Sequence, residues 1–189
     1  MTYYFGEGKK GALLQSAIEL IADRGYDAVS VRDIAKAAGV SEAALYKHYK
    51  GKEDMALFIF REIVRDYAGR VLNIREQQIP TVEKLCQIVN LTYDLFQIRP
   101  AEVRFALLSQ YNFWDLVEEE VKPHFHIKAI LEDGMQRGEI PQQEVYFWIA
   151  VYTGVMLQPL AQYQYFADVL PELPILKEKV CAMVRKLVS

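Results

Sequence analysis

The sequence predicts an all-α chain, with a small three-helix unit at the N-terminus and a larger helical body behind it. Three observations carry that reading. Glycine and proline are scarce, 10 and 7 of 189 residues, and the earliest proline is Pro80, so no proline interrupts the first helices. Apolar residues recur three and four apart in segment after segment, and no alternating pattern bounded by hairpin turns occurs. The composition is 52% hydrophobic and 25% charged, which suits a packed core and excludes collagen-like and disordered chains.

The first element covers residues 9–24, where Leu13, Leu14, Ala17, Ile18, Ile21 and Ala22 keep helical spacing and Gly25 offers a left-handed C-cap. Ser30 opens a second helix. Its hydroxyl is placed to accept from the Asp33 amide while the Asp33 carboxylate reaches back, a reciprocal cap. Ile34, Ala35 and Ala38 give this helix an apolar face, and Gly39 ends it. Ser41 starts a third helix, read from Glu42 to Tyr49 and ended by Gly51. A long fourth helix runs from Lys52 to about Gln78, striped by Met55, Ile59, Ile63, Tyr67, Val71 and Ile74, and Pro80 breaks it. The remaining helical segments are 81–97, 101–109, 117–137, 142–166 and 172–188. Their breakers are Arg99-Pro100, the Tyr111–Asp115 stretch, Gly138 to Pro141, and Pro171 to Pro174. Residues 1–51 are therefore expected to form one domain and 52–189 the other.

Charge and cysteine content narrow the function. The net charge of −3 excludes a globally basic nucleic-acid coat, yet residues 1–50 carry a net +1 and residues 51–189 a net −4. That direction suits a DNA-facing head on an acidic body. Cys86 and Cys181 each stand alone among apolar residues, so they read as buried thiols in a reducing compartment, with no metal spacing and no redox pair. The opening MTYYFGEGKK does not read as a signal peptide, and none is expected. The longest apolar run, Val145 to Leu157, has 13 residues, short of the roughly 20 that cross a bilayer. A cytoplasmic protein with no membrane partner is expected. No glycine-rich phosphate loop and no nucleophile–base pair appears, so neither an enzyme nor a cofactor is expected. Glu120 and His124 are four apart, but without a further ligand they read as a solvated pair beside Pro123. No metal is expected. The Glu118–Glu120 run reads as solvated charge favourably placed at a helix start.

Function is carried by residues 30–49. Two short helices meet at a tight turn, Ala38-Gly39-Val40-Ser41. Gly39 stands where the chain needs a positive φ, Val40 plugs the gap, and Ala35 and Ala44 let the helices approach. This is helix-turn-helix chemistry, in which the second helix enters the major groove with its leading end toward the bases. Ser41, Glu42 and Ala43 form that leading turn. Tyr46, Lys47, His48 and Lys50 flank it. Lys52, at the start of the fourth helix, is placed to attract a phosphate by its charge and by the free amides there. Ser30 and Arg32, at the start of the second helix, complete the expected DNA face, and the hydroxyls of Tyr46 and Tyr49 are candidates for phosphate contacts.

The run Val31-Arg32-Asp33-Ile34-Ala35-Lys36-Ala37-Ala38-Gly39-Val40-Ser41-Glu42-Ala43-Ala44-Leu45-Tyr46-Lys47-His48-Tyr49 resembles the DNA-binding signature of the tetracycline-repressor (TetR) family. The preceding Ala17–Ala22 helix with its Gly25-Tyr26 end and the following Lys52-Glu53 extend the resemblance over about residues 9–58. Tyr49 departs mildly from the pattern, because many members carry Phe there. The resemblance implies a homodimer that reads a palindromic double-stranded DNA operator, and a C-terminal domain whose small-molecule ligand moves the fourth helix and releases DNA.

The body's own residues suggest where such a ligand sits. Aromatic and apolar side chains interleaved with a few polar groups suit a small-molecule pocket. Tyr67, Asn90, Tyr93, Asp94, Arg104, Phe105, Tyr111, Trp114, Tyr152 and Met156 are the candidates, and their bias points to a hydrophobic ligand. The last two helices read as the dimer surface. Leu173, Leu176, Val180, Met183 and Leu187 step as a heptad seam, and Val145, Trp148, Ile149, Tyr152 and Met156 form a second stripe. The expected function is a ligand-responsive repressor. The alternative, a helical small-molecule carrier, leaves residues 30–50 unexplained.

Overall fold

The computed structural model describes residues 5–6, 8–108 and 113–188, and among these every regular element is helical. The α-helices are α1 (Lys9–Arg24), α2 (Val31–Ala37), α3 (Glu42–Tyr46), α4 (Lys52–Arg75), α5 (Thr81–Ile98), α6 (Pro100–Val103), α7 (Pro123–Gln136), α8 (Val145–Phe166) and α9 (Leu173–Leu187). No described helix is long and apolar enough to cross a membrane.

Two hydrophobic cores organise these helices. The first gathers Leu13, Leu14 and Ile18 of α1, Ile34 of α2, Leu45 of α3 and Met55, Ile59 and Phe60 of α4. The second gathers Val71 and Ile74 of α4 with Leu85 and Val89 of α5, Ile130 of α7, Trp148 and Tyr152 of α8, and Val180 and Val184 of α9. The packing divides within α4, between Val64 and Tyr67, and not at Gly51. Phe105, Phe113 and Val117, all downstream of residue 52, also join the first core. Polar groups fix the helix ends of the second. The Glu139 carboxylate accepts from the Thr81 amide at 2.6 Å, at the start of α5. The buried Lys84 ammonium donates to the Arg75 carbonyl at 2.7 Å, at the end of α4, where helix carbonyls lack partners.

Several boundaries differ from the periodicity, each for a local reason. The third helix stops at Tyr46, because the amides of His48 and Tyr49 both turn back to the Leu45 carbonyl at 2.9 Å. The segment after Pro100 becomes the short α6, and residues Arg104–Leu108 widen into a π turn. Residues 117–137 are not one helix. Glu119–Val121 forms a 3-10 turn, and α7 begins at Pro123, whose missing N–H and fixed φ suit a first helical position.

The expected heptad seam on α9 faces inward instead. Leu176 and Val180 are buried in the second core, and only Met183 of that series is strongly exposed. Trp148, Tyr152 and Met156 of the second stripe are likewise internal. The uncovered apolar surface is carried by other residues of α8 and its C-terminal extension: Tyr146, Phe147, Tyr165, Phe166 and Val169. An α-helix apolar on every side needs cover on every side, and α8 has it on only one.

Candidate nucleic-acid interface and ligand cavity

The head presents one exposed helical edge. Ser30 and Asp33 form the reciprocal cap, with the Asp33 amide 3.1 Å from the Ser30 hydroxyl and the Ser30 amide 2.9 Å from the Asp33 carboxylate. The Ser30 hydroxyl, which also donates to the Asp33 carboxylate, and then the Ser30 amide hold that carboxyl below the ordinary range. Gly39 takes φ +66°, and the Val40 amide closes the turn on the Ala35 carbonyl at 3.0 Å. Ala35 and Leu45 are buried between the helices. That leaves Ser41, Glu42, Ala43, Tyr46, Lys47, His48 and Lys50 exposed, with Arg32 exposed on α2. Tyr46 keeps 56% of its surface in solvent, far more than a packing role would leave.

Two residues of the expected DNA face are turned to other partners. The Lys52 ammonium donates to the Tyr26 carbonyl at 2.7 Å and lies 4.0 Å from the centre of the Tyr26 ring. It ties α4 to the α1–α2 connection. Tyr49 is 6% exposed and packs on Phe58 at 5.6 Å, with the Lys10 ammonium 5.9 Å from its ring centre. Its hydroxyl is buried without a hydrogen-bond partner, and burial pushes the phenol up to about 12. Tyr49 thus does the packing work of the Phe common at this position, with its oxygen turned inward.

In the body a cavity of about 530 Å³ opens among α4, α7, α8 and the segment before α7. Tyr67, Leu107, Trp114, Ile127, Ile149, Thr153, Met156 and Leu157 line it, and Asp115, Lys122, His124 and Tyr146 supply its polar and amphipathic wall. Glu119 bridges two of these side chains, 2.9 Å from the Lys122 ammonium and 2.6 Å from His124 Nε2. Those hydrogen bonds hold its carboxyl below the ordinary range. His124 therefore pairs with Glu119 and not with Glu120. Among the described residues no cluster of three or more His, Cys, Asp or Glu is placed to hold a metal.

Of the expected ligand residues, Tyr67, Trp114 and Met156 line this cavity. The others stand elsewhere. Tyr93 and Tyr152 are core residues whose hydroxyls donate to the Met156 and Leu85 carbonyls at 3.2 and 2.8 Å. Phe105 belongs to the first core. Asp94 pairs with Lys177 of α9 at 2.6 Å. Asn90 accepts from the Cys181 thiol at 3.6 Å, and the Arg104 guanidinium lies 5.7 Å from the Phe96 ring centre. Tyr111 lies outside the described residues. Lys122, His124, Tyr146, Ile149, Thr153 and Leu157 were not anticipated. Tyr146, Ile149, Thr153 and Leu157 follow the 3–4 step of one α8 face, a signal present in the sequence but shared with ordinary core.

An aromatic cluster connects cavity and head. Trp114 lines the cavity and meets Phe60 of α4 edge-to-face at 5.0 Å. Phe113 lies 5.6 Å from Phe60 and 5.5 Å from Tyr26, the residue that holds Lys52.

The comparisons with known proteins agree with this architecture. The family model described as bacterial regulatory proteins, tetR family, matches residues 13–58. The chain is 30% identical over 138 residues to the HTH-type transcriptional repressor KstR2 of Mycolicibacterium smegmatis, an alignment covering 69% of this chain and 66% of that protein. It is 28% identical to the fatty acid metabolism regulator protein of Bacillus subtilis, over 69% of this chain and 70% of that one. The chain thus spans about two thirds of the length of these curated relatives. The structure of the transcriptional regulator FadR from Bacillus subtilis in complex with stearoyl-CoA superposes with a TM-score of 0.78 at 24% identity, covering 94% of this chain and 98% of that one.

Proposed function

The chain belongs to the tetR family of bacterial regulatory proteins, and from that premise we propose that it is a cytoplasmic, dimeric repressor that leaves its operator when an apolar ligand with an anionic head fills the body cavity. In this reading α3 enters the major groove. Ser41, Glu42 and Ala43 face base edges, and Tyr46, Lys47, His48 and Lys50 face phosphates. Two subunits join through the uncovered aromatic residues of α8 and the exposed Met183 of α9, which sets the spacing of the two α3 helices on a palindrome.

The observation that carries the mechanism is the position of Trp114. Trp114 both borders the cavity and meets Phe60 edge-to-face, so a ligand that displaces Trp114 acts directly on α4, which shares its first core with the head. The ligand shifts the population toward the released state only by its preference for that state. The ligand class follows from the wall chemistry. Leu107, Ile127, Ile149, Met156 and Leu157 suit an aliphatic or ring-bearing body, and Lys122 and His124, now held by Glu119, suit a carboxylate or phosphate group. A relative being named for fatty acid metabolism, and another structure holding stearoyl-CoA, support acyl thioesters as the first ligands to try.

The test is operator binding by the dimer across a salt series, with and without long-chain acyl-CoA. Selective binding that weakens steeply with salt and is released by acyl-CoA is expected. Lys47→Ala should weaken binding to every sequence and lower the salt slope by about one, whereas Ala43→Gln should change base preference by about 1–3 kcal/mol at one position. A chain that binds acyl-CoA but no DNA, even from a randomised pool, would be a carrier and would overturn this reading.

A further inference from the structure

Cys86 and Cys181 are 95 positions apart in sequence, yet α5 and α9 bring them face to face. Each thiol lies 3.7 Å from the other residue's carbonyl oxygen, the Cys86 thiol against Cys181 and the Cys181 thiol against Cys86. Both are free and buried. A guanidinium stands over the pair. Arg185 Nη1 is 3.2 Å from Cys86 Sγ, while its Nη2 is held by both oxygens of Glu83 at 2.9 and 3.0 Å. A cleft of about 320 Å³, lined by Glu83, Cys86, Gln87, Asn90, Cys181 and Arg185 among others, leads to the sulfurs. It lies on the α5 side of α9. The exposed Lys179, Met183 and Lys186, by helical spacing, are on the other flank, so a dimer formed through that flank leaves the cleft open.

We propose that Cys86 and Cys181 form a peroxide-reactive dithiol that closes to an intramolecular disulfide stapling α5 to α9. Each cysteine is the largest influence on the other: Cys86 holds its proton more firmly than an ordinary thiol, while Cys181 ionises more easily, with Arg185 favouring the negative charge. The Cys181 thiolate attacks one oxygen of a small hydroperoxide. The O–O bond breaks, the departing oxygen takes up a proton as alcohol or water, and Cys181 becomes a sulfenic acid. The Cys86 thiol then attacks the Cys181 sulfur. The S–S bond forms and the hydroxide leaves as water with the Cys86 proton. Two thiols and one hydroperoxide give one disulfide, one alcohol (water, when the oxidant is hydrogen peroxide) and one water.

The experiment treats the reduced, full-length protein with hydrogen peroxide and follows intact mass, peptide maps and non-reducing electrophoresis. The expected product is a monomeric chain lighter by two hydrogens, with the Cys86 and Cys181 peptides linked, and with a raised melting temperature that a thiol reductant reverses. Arg185→Gln should slow the closure several-fold, and Cys86→Ser should stop at added oxygen on Cys181. The same treatment in urea, where α5 and α9 are apart, should form the link several-fold more slowly. Persistent free thiols in the native protein, over-oxidation of either cysteine without the link, or a link only between chains would overturn the proposal. So would closure equally fast in urea. None of these readouts involves operator or ligand, so they stand apart from the regulatory reading.

Discussion

The two cores of this chain use the same helical grammar to opposite ends. The head core is built from Leu, Ile, Ala, Met and aromatic side chains, and the buried polar atoms without a partner beside it among the described residues are the Tyr49 hydroxyl and Arg61 Nε. The body core borders an open cavity of about 530 Å³ and buries Thr81, Lys84, Thr92, Glu102 and His126. A head must hold α3 in one orientation, which favours dense apolar packing. A ligand-responsive body needs unfilled volume and two arrangements of similar energy. The difference teaches that rigidity and responsiveness are separated along the chain, and that α4, which belongs to both cores, is where they meet.

The sharpest way to break this comparison is at that junction. Phe60 is fully buried and touches Phe105, Phe113 and Trp114 at centroid distances of 6.3, 5.6 and 5.0 Å. Phe60→Ala removes a ring from a site where the neighbours come from both units, so its cavity cannot close by a local shift. The expected loss is about 3–5 kcal/mol, read from urea unfolding followed by circular dichroism. In the surviving folded protein, operator release by ligand should also weaken, because Trp114 no longer bears on α4. A loss below about 1 kcal/mol would show that the two units do not share this core.

Such a junction also marks how far the sequence could be read. The head was legible because its chemistry is local. Ser30 and Asp33, Gly39, and Ser41 to Lys50 act within some twenty positions, and capping and turn rules operate at that range. Where the geometry adds a partner that the head reading lacked, at Lys52 and Tyr49, that partner is distant in sequence: Tyr26 for one, Phe58 and α1 for the other. The cavity was only partly legible because its wall draws on residues from Tyr67 to Leu157. Periodicity identifies the apolar face of α8 but not whether a neighbour or a void lies opposite. The same distance hid the cysteine pair, since nothing within either local sequence points to the other. The supposed α9 seam erred for a related reason. A 3–4 repeat states that one face is covered, and α5 of the same chain covers it.

A smaller effect should appear in the pH dependence of stability, and it should belong to the body. His126 is buried beside Arg75, whose Nη1 lies 3.3 Å from His126 Nδ1. Burial, and then the guanidinium, hold its pKa below the ordinary 6.5. The folded state thus favours the neutral ring, so the unfolded chain takes up a proton first as pH falls. The stability due to neutral His126 is present above the unfolded value and is lost as pH drops from about 6.5 toward the lower folded value. Melting temperatures between pH 8 and pH 5 should therefore fall less steeply for His126→Gln than for the natural chain. Equal slopes would remove His126 from the account.

The smallest change tests the head, and its sign matters more than its size. The Tyr49 ring is packed like a core phenylalanine, but its hydroxyl lies buried without a hydrogen-bond partner. An unmade hydrogen bond costs the desolvation of the group, so removing the oxygen while keeping the ring should be neutral to stabilising. Tyr49→Phe is expected to raise unfolding stability by up to about 1 kcal/mol, measured by urea denaturation, and to leave operator affinity and its salt slope unchanged. If the variant instead lost affinity while stability held, the hydroxyl would be reaching the DNA backbone in the complex. The head would then rearrange around α3 on binding, and the rigid half of the molecule would be less rigid than its packing implies.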